Sequence, residues 1–470
     1  MTMRGIWLGL LLPGLCGAAL AVPQAAPQAP RPPHLSFVYP AGGRPGTTFE
    51  VTVGGDRLDG TTAAILSGAG ATVQVVSAPR LAVASSASPK KKAQATLGET
   101  VKLRITLAPD AEPEDRELCL VTPGGLSNKR VFQVGRLEEV LETEPPGKAA
   151  MKLPALPVVV NGQILSGDVD TFAFPARKGQ QFVAEVSARA LIPFIADAVP
   201  GWFQAIVTLS DAKGKELAVA DAFRFNQDPV LLCEIPADGE YRLSIRDSIY
   251  RGRQDFVYRI RLGELPFVSA IFPLGARRGP TPVTVRLTGK NLPQDTLSVA
   301  MDAAEPSLRS LSVVRDGVSS NRVPFAVGTL PEAFEPEPPP RAGSPQSVVP
   351  PVVVNGRIRK PGETDSFSFR GKKGQALSVE VQARRLGSPL DSWILLLNDR
   401  GEKIAGNDDM KGPAEGLLTH LADSALFCAL PEDGLYTLKV FDTQGKGGEV
   451  SVALRSLPEK PRSWPGFTAG

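Results

Sequence analysis

The sequence predicts an all-β protein built from tandem antiparallel sandwiches, and two internal repeats and a run of short alternating strands predict it. Leu232-Cys233-Glu234-Ile235-Pro236-Ala237-Asp238-Gly239-Glu240-Tyr241 returns as Phe427-Cys428-Ala429-Leu430-Pro431-Glu432-Asp433-Gly434-Leu435-Tyr436. Pro157-Val158-Val159-Val160-Asn161-Gly162 likewise recurs as Pro351-Val352-Val353-Val354-Asn355-Gly356, so a whole domain is duplicated. Ahead of the first copy stands Tyr39-Pro40-Ala41-Gly42 with Phe49-Glu50-Val51-Thr52-Val53, and ahead of the second Phe272-Pro273-Leu274-Gly275 with Val283-Thr284-Val285-Arg286-Leu287. The order is A-B-A′-B′. Segments such as Val101-Lys102-Leu103-Arg104-Ile105-Thr106-Leu107 alternate apolar and polar residues, the period of a half-buried strand, and no helical period exceeds a turn or two.

Taken in order, residues 1–21 read as a secretory signal: Arg4, the apolar run Gly5 to Leu20, then Ala19-Leu20-Ala21 for the peptidase. Residues 22–34 alternate Pro, Ala and Gln and read as an extended tether. Small domain A occupies 35–141, with Ala84 to Thr96 and its Lys90-Lys91-Lys92 as an exposed loop. Domain B follows at 154–264, its strands set apart by turns such as Asp211-Ala212-Lys213-Gly214 and Pro236-Ala237-Asp238-Gly239. A′ spans 265–330 and is shortened in its middle. Residues 331–350, with Glu335-Pro336-Glu337-Pro338-Pro339-Pro340, read as a stiff polyproline linker that holds its neighbours apart. B′ completes the array at 351–457.

Bulk properties fit this plan. A chain of 470 residues, 42% hydrophobic and 21% charged, has the composition of core-forming domains, and Gly 46 with Pro 44 suits many turns. A net charge of +3 gives nucleic-acid binding no electrostatic support. No second hydrophobic span follows the leader, so the expected location is secreted, periplasmic or cell-envelope, with no membrane span after signal removal. Beyond Cys16 in the leader, Cys119, Cys233 and Cys428 are expected to be buried free thiols, because Cys233 and Cys428 hold equivalent places in separate domains.

The Val-Asn-Gly start, the Asp-x-Phe-x-Phe elements Asp170-Thr171-Phe172-Ala173-Phe174 and Asp365-Ser366-Phe367-Ser368-Phe369, and the Pro-x-Asp-Gly-x-Tyr close together resemble the bacterial pre-peptidase C-terminal domain. The resemblance covers B and B′ and implies jelly-roll-like sandwiches of the kind appended to secreted peptidases. The small domains resemble TIG modules, which implies immunoglobulin-like sandwiches. A catalytic module, the usual companion, is not evident.

Chemistry-bearing residues are sparse. His34 and His420 lie in no zinc or nucleophile motif, no Gly-x-Ser-x-Gly elbow occurs, and no catalytic residue or cofactor-binding motif is assigned. In B′, Asp391, Asn407, Asp408, Asp409, Asp423 and Asp442 fall at strand ends, where convergent oxygens would suit calcium, a hard cation; solvated loop acids are the alternative. Domain B has Ala220-Asp221-Ala222 where B′ has Asn407-Asp408-Asp409, so the expectation applies to B′ alone. An inserted segment in B carries Phe194, Trp202 and Phe203, either an aromatic ledge for a ligand or part of the sandwich. The expected function is a non-catalytic binding or adhesion array whose partner is a protein or polysaccharide outside the cytoplasm. An accessory subunit of a separately encoded exported hydrolase is the second reading, and a carboxylate-dependent hydrolase the third.

Overall fold

The computed structural model describes residues 31–79, 98–143, 149–192, 202–302, 307–336, 344–410 and 423–457. All regular structure there is strand except a single 3₁₀ turn, Arg384–Leu386. The leader, Lys90-Lys91-Lys92, Phe194 and His420 lie outside the described residues.

Domain A packs a four-stranded sheet (His34–Tyr39, Thr48–Asp56, Glu99–Leu107, Ala71–Ser77) against a second sheet of Gly42–Gly43, Arg130–Val134, Asp115–Thr122 and Ala63–Leu66. Its central strand shows how the sequence dictates the layer. Val101, Leu103, Ile105 and Leu107 are buried while Thr100, Lys102, Arg104 and Thr106 face water, because successive side chains point to opposite faces. The inward set meets Leu118, Leu120 and Phe132 of the other sheet. A′ repeats this design with three strands per sheet, as its shorter sequence requires.

B and B′ are each two five-stranded sheets with the same topology. In B the core is Phe172, Phe174, Phe182, Val207, Leu209, Leu243, Ile245 and Ile260, with Phe174 stacked on Phe182 at 5.0 Å. The repeated Pro-x-Asp-Gly-x-Tyr motif is a fastened turn. Tyr241 Oη donates to the Ala237 carbonyl at 2.7 Å, and Asp238 accepts the Lys178 N–H at 2.7 Å. Tyr436 and Asp433 do the same for Glu432 and Lys373. The aromatic ring fills the core while its hydroxyl satisfies a turn carbonyl, so motif and fold are one constraint.

The Pro-rich connections differ from the expected spacers. Glu138–Leu141 and Met151–Lys152 add parallel edge strands to the two sheets of B, and Glu332–Phe334 and Gln346–Ser347 do so in B′. Edge strands tolerate proline around them because one side needs no ladder partner. Each connection therefore supplies one edge strand to each sheet of its sandwich, while residues 144–148 and 337–343, with most of the polyproline run, lie outside the described residues.

Neighbouring domains also share apolar seams. Phe37 and Ala41 of A pack with Leu191, Ile192 and Val257 of B. Leu137, Val159 and Val183 pack with Leu265 and Phe267 of A′. Leu386 of B′ enters the A′ core at the position equivalent to Leu191. The three cysteines are free as expected but half-buried, and burial pushes the Cys428 thiol up to about 11.

Candidate functional site: loop acids, a loop tip and buried carboxyl pairs

The six oxygen-bearing residues of B′ are placed by different duties. Asp423, fully buried, accepts the backbone N–H of Arg384 at 2.7 Å and of Arg385 at 3.2 Å, and the Arg385 guanidinium at 2.8 Å. Asp228 does the same in B, toward Ala188, Arg189 and Ala190. Asp442 accepts N–H groups of Asp391 at 3.1 Å and Gly447 at 2.7 Å. Asp391 is engaged by Thr443 and Gln444, Asn407 accepts from Ala425 N–H, and Asp408 from Asp409 N–H. Burial and then the charges of Asp408 and Asp391 raise Asp409 above the ordinary carboxylate range. Those three acids thus neighbour one another, and Asp442 and Asp423 stand beside them, through the Asp391 N–H and through Ser424, but spend their own oxygens on turn N–H groups. Among the described residues no group of three or more His, Cys, Asp or Glu is placed to hold a metal.

This arrangement gives a direct expectation. Asp423→Ala leaves buried N–H groups without their acceptor and should cost about 2 kcal/mol, the scale of a strong cap. Thermal unfolding with calcium and with chelator should show the same loss in both; a loss present only with calcium would assign a metal role to Asp423.

The aromatic segment of B turns inward. Phe203 is fully buried and stacks on Phe256 at 5.1 Å, and half-buried Trp202 meets the same ring edge-on at 5.3 Å. Trp202 and Phe203 therefore form no exposed ledge. Phe203 enters the sandwich core by stacking on Phe256, and Trp202 packs edge-on against the same ring at the rim of that core.

The exposed apolar pair lies on the adjacent loop, which the sequence did not single out. Ile249 is 66% and Tyr250 54% exposed. The loop is held from below by Asp247, fully buried, which accepts from Gln204 N–H, Ile249 N–H, Arg251 N–H and the Arg251 guanidinium. Burial pushes the Asp247 carboxyl up, yet the Arg251 guanidinium and these N–H groups outweigh it and hold it below the usual range. Tyr250 sits at φ 59°, an uncommon conformation for a bulky residue, with the Arg246 guanidinium 4.7 Å from its ring centre. The corresponding loop of B′, Asp442-Thr443-Gln444-Gly445-Lys446-Gly447, has no apolar residue.

Two carboxyl pairs, each a buried aspartate beside a half-buried glutamate, also escaped the sequence reading. In B, Tyr258 Oη lies 2.6 Å from both Glu142 and Asp170. One hydroxyl has one proton to donate, so the other carboxyl approaches as acid or acceptor of a shared proton. Burial, then the neighbouring Asp170 charge, pushes Glu142 up to about 10, and burial pushes Asp170 up to about 6. In B′ the equivalent residues are Glu335 and Asp365, and burial followed by Glu335 and Glu363 raises Asp365 to about 8. The available signal was an acid beginning each Asp-x-Phe-x-Phe element and another just after the first edge strand of each preceding connection.

No family model matches the chain. It is 39% identical over 82 residues to a probable subtilase-type serine protease of Deinococcus radiodurans, a match covering 17% of this chain and 10% of that protein's length. Among solved structures it is similar to the pre-peptidase C-terminal domain of a Bacillus anthracis collagenase, at 14% identity and a TM-score of 0.20 over 25% of this chain and 99% of that one. The Yersinia pseudotuberculosis adhesin InvE is similar at 10% identity and a TM-score of 0.14, over 61% and 66% of the two chains. The Vibrio cholerae secreted serine protease VesC gives 10% identity and a TM-score of 0.16 over 47% of this chain and 48% of that chain. Among the described residues no helix is long and apolar enough to cross a membrane.

Proposed function

We propose that this chain is a non-catalytic array of β-sandwich modules that binds a protein outside the cytoplasm, with the Ile249–Tyr250 tip of B as its principal contact. The preorganised tip carries this reading. Its two large side chains are exposed on a loop already fixed by a buried carboxylate and an arginine, so little conformational entropy remains to be lost on binding. Tyrosine is enriched among interface residues that dominate affinity. The loss of both apolar side chains in B′ makes the feature specific to one copy instead of a requirement of the fold.

The test is a protein and glycan array screen of the purified chain, followed by the Ile249→Ala/Tyr250→Ala double variant on any hit. Binding to a protein should weaken at least about tenfold, which a single residue of this class suffices to give. An unchanged affinity would overturn the tip, and hits confined to glycans would overturn the protein reading. A second reading, an accessory subunit of a separately encoded exported hydrolase, is favoured by the partial match to a subtilase-type protease. Co-purification of a hydrolase that is lost in the double variant would select it.

A further inference from the structure

The two carboxyl pairs occupy the same place in both copies, and each fastens a connecting segment to its sandwich. Glu142 follows the edge strand Glu138–Leu141, and one of its oxygens accepts the Gln163 N–H while the other meets Tyr258 Oη. Its own N–H donates to the Asn161 carbonyl at 3.0 Å. Glu335 follows Glu332–Phe334, donates its N–H to the Asn355 carbonyl at 2.9 Å, and sits over Gly356 with Asp365. Asp365 is 5% exposed, and one of its oxygens has no hydrogen-bond partner.

The fastened strands reach the domain seams as well. Glu139 of the first strand pairs with Arg259 at 2.9 Å, and that guanidinium fills the space beside Gly42 of A. Phe334 of the second meets Phe272 of A′ at 6.2 Å. Freeing either strand would loosen the seam between a small domain and its larger neighbour.

We propose that the Glu142–Asp170 and Glu335–Asp365 pairs are proton-dependent latches, closed while each pair holds a proton and opened as alkalinity strips it, releasing the connecting strands and the A–B and A′–B′ seams. Two carboxylates in one buried site repel when both are charged; a shared proton turns that repulsion into a hydrogen bond. The groups facing the first latch are Tyr258 and Asp168, and neither supplies positive charge. Those facing the second are Glu363 and the Arg359 guanidinium, the latter 3.3 Å from Glu335 and 3.7 Å from Glu363, partly exposed and so screened.

The direction follows from linkage. A carboxyl that holds its proton more tightly folded than unfolded stabilises the fold fully below the ordinary carboxylate range, near pH 4, and loses that contribution as pH rises through its folded value. Both latches should therefore weaken as pH rises above the ordinary carboxylate range, because burial and the neighbouring acid raise Glu142 in the first and Asp365 in the second.

Hydrogen exchange of the full chain, in chelator throughout and corrected for intrinsic rates, tests this. Between pH 6 and pH 9, protection of both Glu332–Phe334 and Glu138–Leu141 should fall by at least about tenfold, since linkage changes protection by up to about tenfold per pH unit wherever the closed pair holds a proton that the opened pair has lost. Glu142→Gln/Glu335→Gln, whose amides donate the hydrogen bond at every pH, should flatten both responses; Asp170→Asn/Asp365→Asn serves if that variant does not fold. An equal pH response in parent and variant, or none in the parent, would overturn the proposal.

Discussion

Phe203→Ala lowers the stability of the first larger sandwich by about 3–5 kcal/mol, the range for removing a fully buried aromatic ring. Phe203 has no exposed surface and stacks on Phe256, which is itself held by Trp202, so truncation leaves a void beside Phe256 that the packed core cannot fill. Tyr250→Ala, nearby in space but 54% exposed, should change stability by less than about 1 kcal/mol. Domain-resolved hydrogen exchange compares the two. Equal costs would mean that Phe203 is not a core residue, and the ledge reading would return with it.

That contrast shows what the sequence made legible. Duplication and period-two alternation were enough for the sandwiches: Val101 to Leu107 could bury one face only as a strand, and the Tyr241 and Tyr436 turns recur because both rings enter a core. An inserted aromatic is ambiguous by composition, since packing and ligand binding want the same side chain. Only the position of Phe256, which lies about fifty residues away in sequence, decides for Phe203.

The acids were ambiguous for a related reason. A carboxylate at a strand end can serve a cation or a set of turn N–H groups, and both uses need converging oxygens. Asp423 and Asp442 serve N–H groups, and the repeat held a clue: Asp228 and Asp247 stand at the equivalent places in the copy that keeps only Asp221 opposite Asn407-Asp408-Asp409. A duty shared by both copies belongs to the fold. The edge strands of the Pro-rich connections were illegible because two to four residues show no period, and their pairing depends on a strand elsewhere in the chain.

The Asn-Gly pair that opens both copies should respond unequally to one substitution. Gly162→Ala should cost about 2–3 kcal/mol, the range for forcing a methyl group into an occupied core. Its Cβ would collide with the Tyr258 hydroxyl and the Glu142 carboxylate, which are pinned to each other and to Asp170, so none can yield without breaking the shared hydrogen bonds. At Gly356 the partner strand offers Val450 in place of Tyr258. The nearest atoms to a new Cβ there are Asp365 Oδ2 at 3.3 Å and Glu335 Oε2 at 3.5 Å, so Gly356→Ala needs a shift of a few tenths of an ångström and should cost less than about 1 kcal/mol. Urea unfolding followed by hydrogen exchange reports each sandwich separately, as a chain of several domains requires. Equal penalties would show that the glycine is kept for backbone conformation alone, and that Tyr258 does not close over it.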